Sequence, residues 1–506
     1  MLLRTTKKTD DDEGELGLPI PTQFISNGEF WPFPQTQRQH AIERLIYEMA
    51  DERARKLGWS RRTFLGSAAG MATALMAINL VSGCGDGNDG RGGFAVDDCA
   101  TRDPAAARER FKADFFIMDV QTHHADLDGP VGMSEVLQQF FKSFRVCQPR
   151  VQKPDCHPGD IQELSRANYI KEVFLDSETA VAIMSGIPAP SASLQLIGNA
   201  AMAATRDLGN ELGASERMLT QGMVTPNFPP GNDARTNVSD MEWMVKDLGI
   251  RAIKTYTGAG AGPNYPTDQL NPWGVIPPWW LDDEAVSYPM LAEAERLGIN
   301  IVNTHKGLRL GIFDPDYISP RDIPKVARDW PKMNFVVYHS GGNDYLQALV
   351  DLKTNDIPDL TNVYAELGAI FAGAVTNGVD AVANLLGKLI NAFGADHVIW
   401  GTDSIWYGTP QWQIDALKTF QMPAQMIEQF GYPEITDDIR AKIFGRNAAR
   451  LYNIDVDAVR CTVPSDTLMQ AKAVYPEVAQ PSLRQYGFKT RREFFKFAFT
   501  GKNPLA

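Results

Sequence analysis

The sequence is short of cysteine and of clustered basic residues, and both shortages exclude classes of protein. Five cysteines in 506 residues are too few for a disulfide scaffold, and no two form the CxxC pair of a zinc ribbon or a redox dithiol. The formal net charge is −13, and no basic block is present that could follow a phosphate backbone, so we expect no nucleic-acid partner. The composition, 44% hydrophobic and 22% charged, is that of a globular protein, and the expected partner is a small-molecule substrate.

Residues 60–84 have the features of an export signal. Ser60 to Leu65 match the twin-arginine pattern, and an apolar stretch rich in glycine and alanine follows from Gly66 to Leu80. Val81 to Cys84 resemble a lipobox, in which Cys84 is lipidated after cleavage. We therefore expect the twin-arginine translocation machinery to export the protein to the periplasm, or to the membrane with a lipid anchor at Cys84. The alternatives are a buried helix and a membrane-spanning helix, and glycine and serine dilute the stretch below the roughly 20 apolar residues that a span needs.

The sixty residues before the arginine pair are many for a signal peptide, which leaves Met49 as an alternative start. Against this start, apolar residues between Gln37 and Leu57 recur at the spacing of an amphipathic helix. We therefore divide the chain into an N-terminal extension (1–59), the signal (60–84), a glycine-rich flexible linker (85–110), a catalytic domain (111–458) and a C-terminal extension (459–506).

The predicted catalytic domain alternates short apolar runs with helical patterns. Helices are predicted at 241–248, 289–297 and 381–393, and each is followed by a glycine that can end it. The alternation predicts parallel βα units, and eight strands favour the α/β class with a closed (β/α)8 TIM barrel over a doubly wound sheet. The predicted strands are 115–120, 179–184, 219–224, 250–256, 299–303, 335–338, 363–366 and 398–400.

Polar side chains follow four of these strands where each strand ends. His123 follows the first strand, His305 the fifth, His339 the sixth and Asp403 the eighth. Because the carboxyl ends of barrel strands meet at one mouth, we expect the four side chains to converge there. Imidazole nitrogen and carboxylate oxygen suit a divalent metal ion, with zinc or manganese expected, and a catalytic site leaves one ligand position open.

The segments around these residues resemble the amidohydrolase superfamily, in particular the amidohydrolase-related branch that includes aminocarboxymuconate-semialdehyde decarboxylase. The resemblance implies a metal-dependent barrel enzyme, with a terminal helix at 443–452 that packs on the barrel exterior. It is carried, in family order, by Asp119-Val-Gln-Thr-His123, Asn303-Thr-His305, Val337-Tyr-His-Ser-Gly-Gly342, Tyr364-Ala-Glu366 and Trp400-Gly-Thr-Asp403.

One residue departs from the family pattern. The first strand of the family ends in HxH, and here Gln121 stands in place of the first histidine. His124 cannot replace it, because adjacent strand residues point to opposite faces. An amide oxygen is a weaker ligand than imidazole, so His123, His305 and Asp403 would hold the metal mainly, with Gln121 either a weak ligand or a hydrogen-bond partner of His123.

The remaining polar residues are candidates for proton transfer and for substrate binding. His339 is the candidate general acid or base, with a fourth metal ligand as the alternative. The resemblance implies for Lys254 a carboxylated lysine between two metals; the alternatives are a cation that binds a substrate carboxylate, for which Lys254 is a candidate, and a solvated or salt-bridged residue. Tyr256, Glu366 and Trp406 are the further candidates for substrate binding.

Two expectations concern the oligomeric state and the redox state. A homodimer is the expected assembly if the chain is not a monomer. Cys147 and Cys156 are close enough in sequence to form a disulfide in an oxidising compartment, and the sequence leaves open whether they do so.

Two reaction classes fit these residues. In the first, which we predict, metal-activated water attacks a small ester, lactone or amide while Asp403 accepts its proton. In the alternative, the metal and His339 hold an aromatic or unsaturated carboxylate that is protonated at carbon and loses CO2. A third reading, an exported binding protein without catalysis, is compatible with the same fold.

Overall fold

Eight short apolar runs pair side by side into one parallel sheet. The computed structural model describes residues 18–26, 32–83, 92–126, 164–188, 191–192, 195–259, 277–308, 314–474 and 490–492. Within these residues the sheet follows the order of the chain without a crossover. Its strands are β1 (Met118–Thr122), β2 (Val181–Met184), β3 (Met218–Met223), β4 (Ala252–Tyr256), β5 (Ile301–His305), β6 (Asn334–Tyr338), β7 (Val363–Glu366) and β8 (Val398–Ile399).

The sheet closes on itself between β8 and β1. The Val120 N–H donates to the Trp400 carbonyl over 3.2 Å, and the Asp403 N–H donates to the Gln121 carbonyl over 3.0 Å. These bonds extend the eighth strand beyond Ile399 and leave no open edge between it and the first. The predicted eight-stranded α/β barrel is confirmed.

The predicted helices lie between the strands, with small shifts at their ends. Gly249 and Gly298 have left-handed backbone (φ 63° and 79°) after two of them, as a helix-ending glycine requires. The helices are α1 (Gln37–Leu57), α2 (Arg61–Leu65), α3 (Ala68–Ser82), Pro104–Phe111, Arg166–Ile170, Asn199–Gly213, Met241–Lys246, Ser287–Arg296, Ile323–Asp329, Gly342–Asp351, Gly368–Asn377, Val379–Phe393, Gln411–Thr419, Ala424–Phe430, Asp437–Ala441, Asn447–Tyr452, Val456–Thr462 and Thr467–Val474.

The helix Asn447–Tyr452 closes the amino-terminal end of the barrel. Ala448, Ala449 and Tyr452 belong to the same buried cluster as the lower side chains of the strands, among them Ile301. The Tyr452 hydroxyl donates to Asn303 Oδ1 of β5 over 3.2 Å. The expectation of a terminal helix on the barrel exterior is therefore corrected, because small alanines let this helix approach the strand ends and fill the barrel from below.

Helices α1 to α3 form a layer outside the barrel. α1 has the bounds that its sequence period predicts, with Thr36 and Gln39 in a reciprocal capping box at its start and left-handed Gly58 at its end. α3 packs against α1 and against the barrel helix Val379–Phe393. Residues 69–79 of α3 are buried without interruption.

The segment with the features of an export signal is a buried helix in this structure, and its export stays a prediction. Asn79 of α3 bonds the backbone of Phe94 twice, through its side-chain amide (2.6 Å) and its side-chain oxygen (2.9 Å). Among the helices of the described ranges, none combines the length and the apolar character that crossing a membrane requires. Cys84, Cys147 and Cys156 lie outside the described residues.

The expected linker at 85–110 also differs from the structure. Its described part, from residue 92, contains a strand at Gly93–Phe94 that pairs antiparallel with Phe420–Gln421, and the start of the helix Pro104–Phe111. The strand forms because Phe94 is a large apolar side chain that is fully buried against Phe420, with ring centroids 5.8 Å apart.

Candidate active site

The four residues predicted from the strand ends lie at one mouth of the barrel. His123 directly follows β1, His305 ends β5, His339 follows β6 and Asp403 follows β8. All four side chains are fully buried. The register of parallel strands brings them together, because every strand of the closed barrel ends on the same face.

Asp403 is held by residues of β1. Its Oδ1 atom lies 3.1 Å from His123 Nε2 and accepts a hydrogen bond from Gln121 Nε2, also over 3.1 Å. Its φ of 58° is a left-handed backbone that side-chain-bearing residues adopt rarely and that persists where the surroundings impose it. The contacts between β1 and the segment after β8, which close the barrel, therefore also position the Asp403 carboxylate.

His339 also has a left-handed backbone, with φ 60°. Its Nδ1 atom accepts from the Ala369 N–H over 3.2 Å, and its own backbone N–H donates to Glu366 Oε2 over 2.8 Å. The Nε2 atom of the ring lies 3.2 Å from Gln121 Nε2, and the tautomer of the ring sets the roles of the two nitrogens. The same Gln121 amide contacts Asp403, so one side chain connects Asp403 and His339.

His305 lies between the rings of Tyr256 and His339. Its ring stacks on Tyr256 (centroids 4.6 Å apart, 18° between planes) and meets His339 edge-on at 4.9 Å. Lys254 lies below in the barrel, with Nζ 3.5 Å from the ring centroid of Tyr338 and 4.8 Å from that of Tyr256. The lysine is fully buried, so it places a cationic group under the mouth.

Glu366 occupies space that two glycines provide. A Cβ atom on Gly401 would lie 1.7 Å from Glu366 Oε1, and one on Gly368 would lie 2.7 Å from Oε2 and 2.5 Å from His339 Nδ1. No side chain fits at these distances. The glycines of the Trp-Gly-Thr-Asp motif and of the start of the helix Gly368–Asn377 therefore admit the carboxyl group into the site.

Trp406 forms one wall beside β1. Its ring centroid is 5.9 Å from that of His123, with 32° between the planes, and the side chain is buried. The structure thus brings together all of the predicted residues: His123, Gln121, Asp403, His339, His305, Tyr256, Lys254, Glu366 and Trp406.

Burial sets the protonation of these groups. It raises the pKa of Asp403 well above its usual value and that of Glu366 to about 8, while the Lys254 charge lowers both in part. Burial lowers the pKa of His305 and of His339 well below the usual value. Near neutral pH the imidazoles are therefore neutral and can both donate and accept a proton.

His124 points away from the site, as the alternation of strand faces predicts. Its Nε2 atom lies 2.8 Å from Thr205 Oγ1 of the helix Asn199–Gly213. Burial lowers the pKa of His124 to about 4. The unfolded chain therefore takes up a proton near pH 6.5, where the folded chain does not.

The pH dependence of stability is expected to change when His124 is replaced by glutamine. A folded pKa below the unfolded one stabilises the fold above about pH 6.5, and this contribution is lost as the pH falls towards 4. Between pH 7 and pH 5 the wild type should lose about 2 kcal/mol of unfolding free energy more than His124→Gln. Urea unfolding at both pH values measures this difference, and equal losses in the two proteins would contradict it.

Sequence reasoning missed two residues that hold the site. Asp119 is fully buried in β1 and accepts from the backbone N–H groups of Gln121 and Thr402, each over 3.1 Å, which ties β1 to the loop of Asp403. Lys306, next to His305, is fully buried and paired with Asp322 at 2.6 Å. A charged residue inside or directly after an apolar strand is the signal that could have revealed both.

Whether the site suits a divalent metal ion depends on the nitrogen and oxygen atoms that its side chains offer. Among the described residues, no three His, Cys, Asp or Glu side chains form a ready metal cluster. Two buried oxygens of the site, Gln121 Oε1 and Glu366 Oε1, lack a hydrogen-bond partner. Oxygen atoms beside imidazole and carboxylate are a donor set that zinc or manganese accepts, so the residues fit a divalent ion.

Comparisons with known proteins gave similar solved structures and one matching family model. Three similar solved structures are 2,6-dihydroxybenzoate decarboxylase from Rhizobium (16% identity, 68% of this chain and 100% of that chain, TM-score 0.39), a putative 2-pyrone-4,6-dicarboxylic acid hydrolase from Pseudomonas putida (15%, 68% and 99%, 0.33) and a dihydroxybenzoic acid decarboxylase from Polaromonas with bound manganese (14%, 67% and 98%, 0.39). No curated protein sequence matches the chain.

The family model described as amidohydrolase matches residues 188–454, which is more than half of the chain. The match covers β3 to β8 with His305, His339 and Asp403, and it begins after β1, where Gln121 departs from the family pattern. The chain therefore belongs to the amidohydrolase family.

Proposed function

We propose that this chain hydrolyses a small ester, lactone or amide, with Asp403 as the acceptor of the proton from the attacking water. The observation that carries the proposal is the contact of one Asp403 oxygen with both His123 and Gln121 at 3.1 Å. Burial raises the pKa of this carboxyl, and a carboxylate with a raised pKa takes up a proton more readily than one in water. Asp403 is thus suited to act as a general base.

His339 is the proposed general acid, which donates a proton to the leaving group. Its Nδ1 atom is occupied by the Ala369 N–H, so the ring presents Nε2 to the centre of the site. Burial lowers the pKa of the ring, so the neutral imidazole can donate a proton and regain it afterwards. The Gln121 amide, which lies between His339 and Asp403, keeps acid and base at a fixed separation.

His123, His305, Asp403 and Gln121 would hold the divalent ion, which when bound polarises a carbonyl oxygen and lowers the pKa of water. Trp406 and Tyr256 are the proposed walls around an apolar or aromatic part of the substrate. Both rings are buried beside histidines, Trp406 beside His123 and Tyr256 on His305. The buried walls exclude bulk water and strengthen every polar contact inside the site.

Lys254 favours a second candidate function. A buried cation under the mouth is a partner for a substrate carboxylate, which non-oxidative decarboxylation of an aromatic or unsaturated acid requires. In that reaction His339 delivers a proton to carbon as the bond to the carboxylate breaks, and CO2 leaves. The two candidates use the same residues and differ in their products.

The products decide between the two candidates. Protein purified without chelators is analysed for bound metal and then supplied with Zn²⁺ or Mn²⁺ and a panel of aryl esters, lactones, amides, hydroxylated benzoates and enoates. We expect acid release from an ester, lactone or amide without CO2. Release of CO2 from a carboxylate, while every ester, lactone and amide stays intact, would replace hydrolysis by decarboxylation.

A further inference from the structure

The helix Gly368–Asn377 is apolar on every side, and it begins at the catalytic site. Its residues from 368 to 376 are all buried. A helix that is hydrophobic all round needs cover on all sides, and α1 is among the elements that pack on it. The second residue of this helix, Ala369, donates the hydrogen bond that fixes the His339 ring. Whatever covers the outer face of the helix therefore supports His339.

The N-terminal residues provide that cover. Phe24 lies against Gly373, where a Cβ atom would be 3.4 Å from its ring. Gln39 of α1 donates to the Thr376 carbonyl (3.4 Å) and to Asn377 Oδ1 (3.3 Å), and so satisfies acceptors at the end of the helix. These contacts come from residues more than 300 positions earlier in the chain.

The same N-terminal segment reaches the loop that follows Asp403. The Phe24 ring stacks on Tyr407, with centroids 4.7 Å apart and 27° between planes. Tyr407 is 1% exposed and is the neighbour of Trp406, whose ring faces His123. Phe24 therefore touches both supports of the catalytic residues, the helix that holds His339 and the loop that carries Asp403.

α3 fixes this cover to the rest of the fold. Ser82, at its end, accepts from the Val379 N–H over 3.3 Å, at the start of the next barrel helix. Asn79 holds Phe94, and that strand pairs with Phe420 after the helix Gln411–Thr419. Cleavage at the lipobox-like site would remove α1 to α3 together and expose the apolar faces of two barrel helices.

We infer that the described residues 18–26 and 32–82 are a permanent layer of the folded enzyme rather than a detachable leader, and that Phe24 is a positioning residue for the loop of Asp403. The layer closes the outer side of the helix Gly368–Asn377 and, through Tyr407, braces the wall of the site. This inference concerns the architecture and holds whichever reaction the site performs.

The first experiment separates the layer from the barrel. A specific protease sequence is inserted between Cys84 and Arg91 in the full chain, and the cut protein is analysed by size exclusion and thermal unfolding beside the uncut protein. We expect the N-terminal fragment to stay bound after cutting, and its removal with mild denaturant to leave a remainder that aggregates or unfolds at lower temperature. A fragment that leaves freely, with a remainder of unchanged thermal midpoint, would overturn the inference.

The second experiment tests Phe24. Amide hydrogen exchange of peptides from residues 404–408 is compared between wild type, Phe24→Ala and the matched control Phe33→Ala, whose side chain is 55% exposed in the same segment. We expect exchange about tenfold faster in Phe24→Ala only, with β5 and β6 peptides unchanged. Equal exchange in both variants, or a uniform increase over all strands, would remove the positioning role. No substrate is needed, so a failed hydrolysis assay leaves both experiments valid.

Discussion

The Asp403→Asn variant is expected to lower kcat by about 10² to 10⁴, the range for loss of a positioned proton acceptor. Asparagine tolerates left-handed backbone better than most residues, so the φ of 58° at this position is retained. Its side-chain oxygen can still accept from Gln121. The change therefore removes proton transfer with little effect on the fold, and steady-state kinetics on the substrate found by the product assay measure it.

Asp415→Asn is the matched control for that variant. Asp415 is also a buried carboxyl, whose pKa burial raises to about 7, but it lies in the helix Gln411–Thr419 outside the mouth. Its replacement should leave kcat within about twofold of the wild type. Equal losses in the two variants would show that Asp403 acts through stability, and an unchanged kcat in Asp403→Asn would remove it from the reaction.

The Lys306→Met variant is expected to lose about 3–5 kcal/mol of unfolding free energy, the cost of leaving one partner of a buried ion pair alone. Lys306 and Asp322 are both fully buried, 2.6 Å apart. The lysine also donates to Thr257 Oγ1 over 3.0 Å, and Asp322 accepts from the Leu281 N–H over 2.8 Å. The pair therefore ties the end of β5, next to His305, to the loop before the next helix.

Two comparisons make this prediction specific. The double variant Lys306→Met with Asp322→Leu removes both charges and should lose less than the single variant. Lys56→Met breaks an exposed pair with Glu52, whose side chains are 57% and 50% exposed, and should change stability by less than about 1 kcal/mol. Denaturant unfolding measures all three, and a Lys306→Met loss as small as that of Lys56→Met would contradict the expectation.

The barrel was predictable because each of its strands is a buried apolar run with its own boundary. The runs that end at Tyr256, Tyr338 and Glu366 have the same last residue in the structure as in the sequence prediction. The convergence of His123, His305, His339 and Asp403 followed from register alone, since a closed parallel barrel places every strand end on one face. Side-chain contacts did not follow, because the stacking of His305 on Tyr256 depends on rotamers.

The N-terminal layer was not predictable from local composition. An export signal and a buried helix both need an apolar, alanine-rich stretch, so residues 66–80 fit either one. What distinguishes them is a partner about 300 residues away, the helix Val379–Phe393 on which α3 packs. The helix Asn447–Tyr452 was predicted but its position was wrong for a similar reason, since nothing local shows that Tyr452 reaches Asn303 inside the barrel.

The distance in sequence between α3 and its partners has a consequence during synthesis. The helix Val379–Phe393, on which α3 packs, leaves the ribosome roughly 300 residues later, which at about 5–20 residues per second is a delay on the order of 15–60 s. During that time α3, an apolar segment preceded by Arg61 and Arg62, is exposed to any factor that binds nascent chains. Folding of the last barrel helices then buries α3. The relative rates of factor binding and of barrel folding therefore determine whether a factor binds this segment before it is buried.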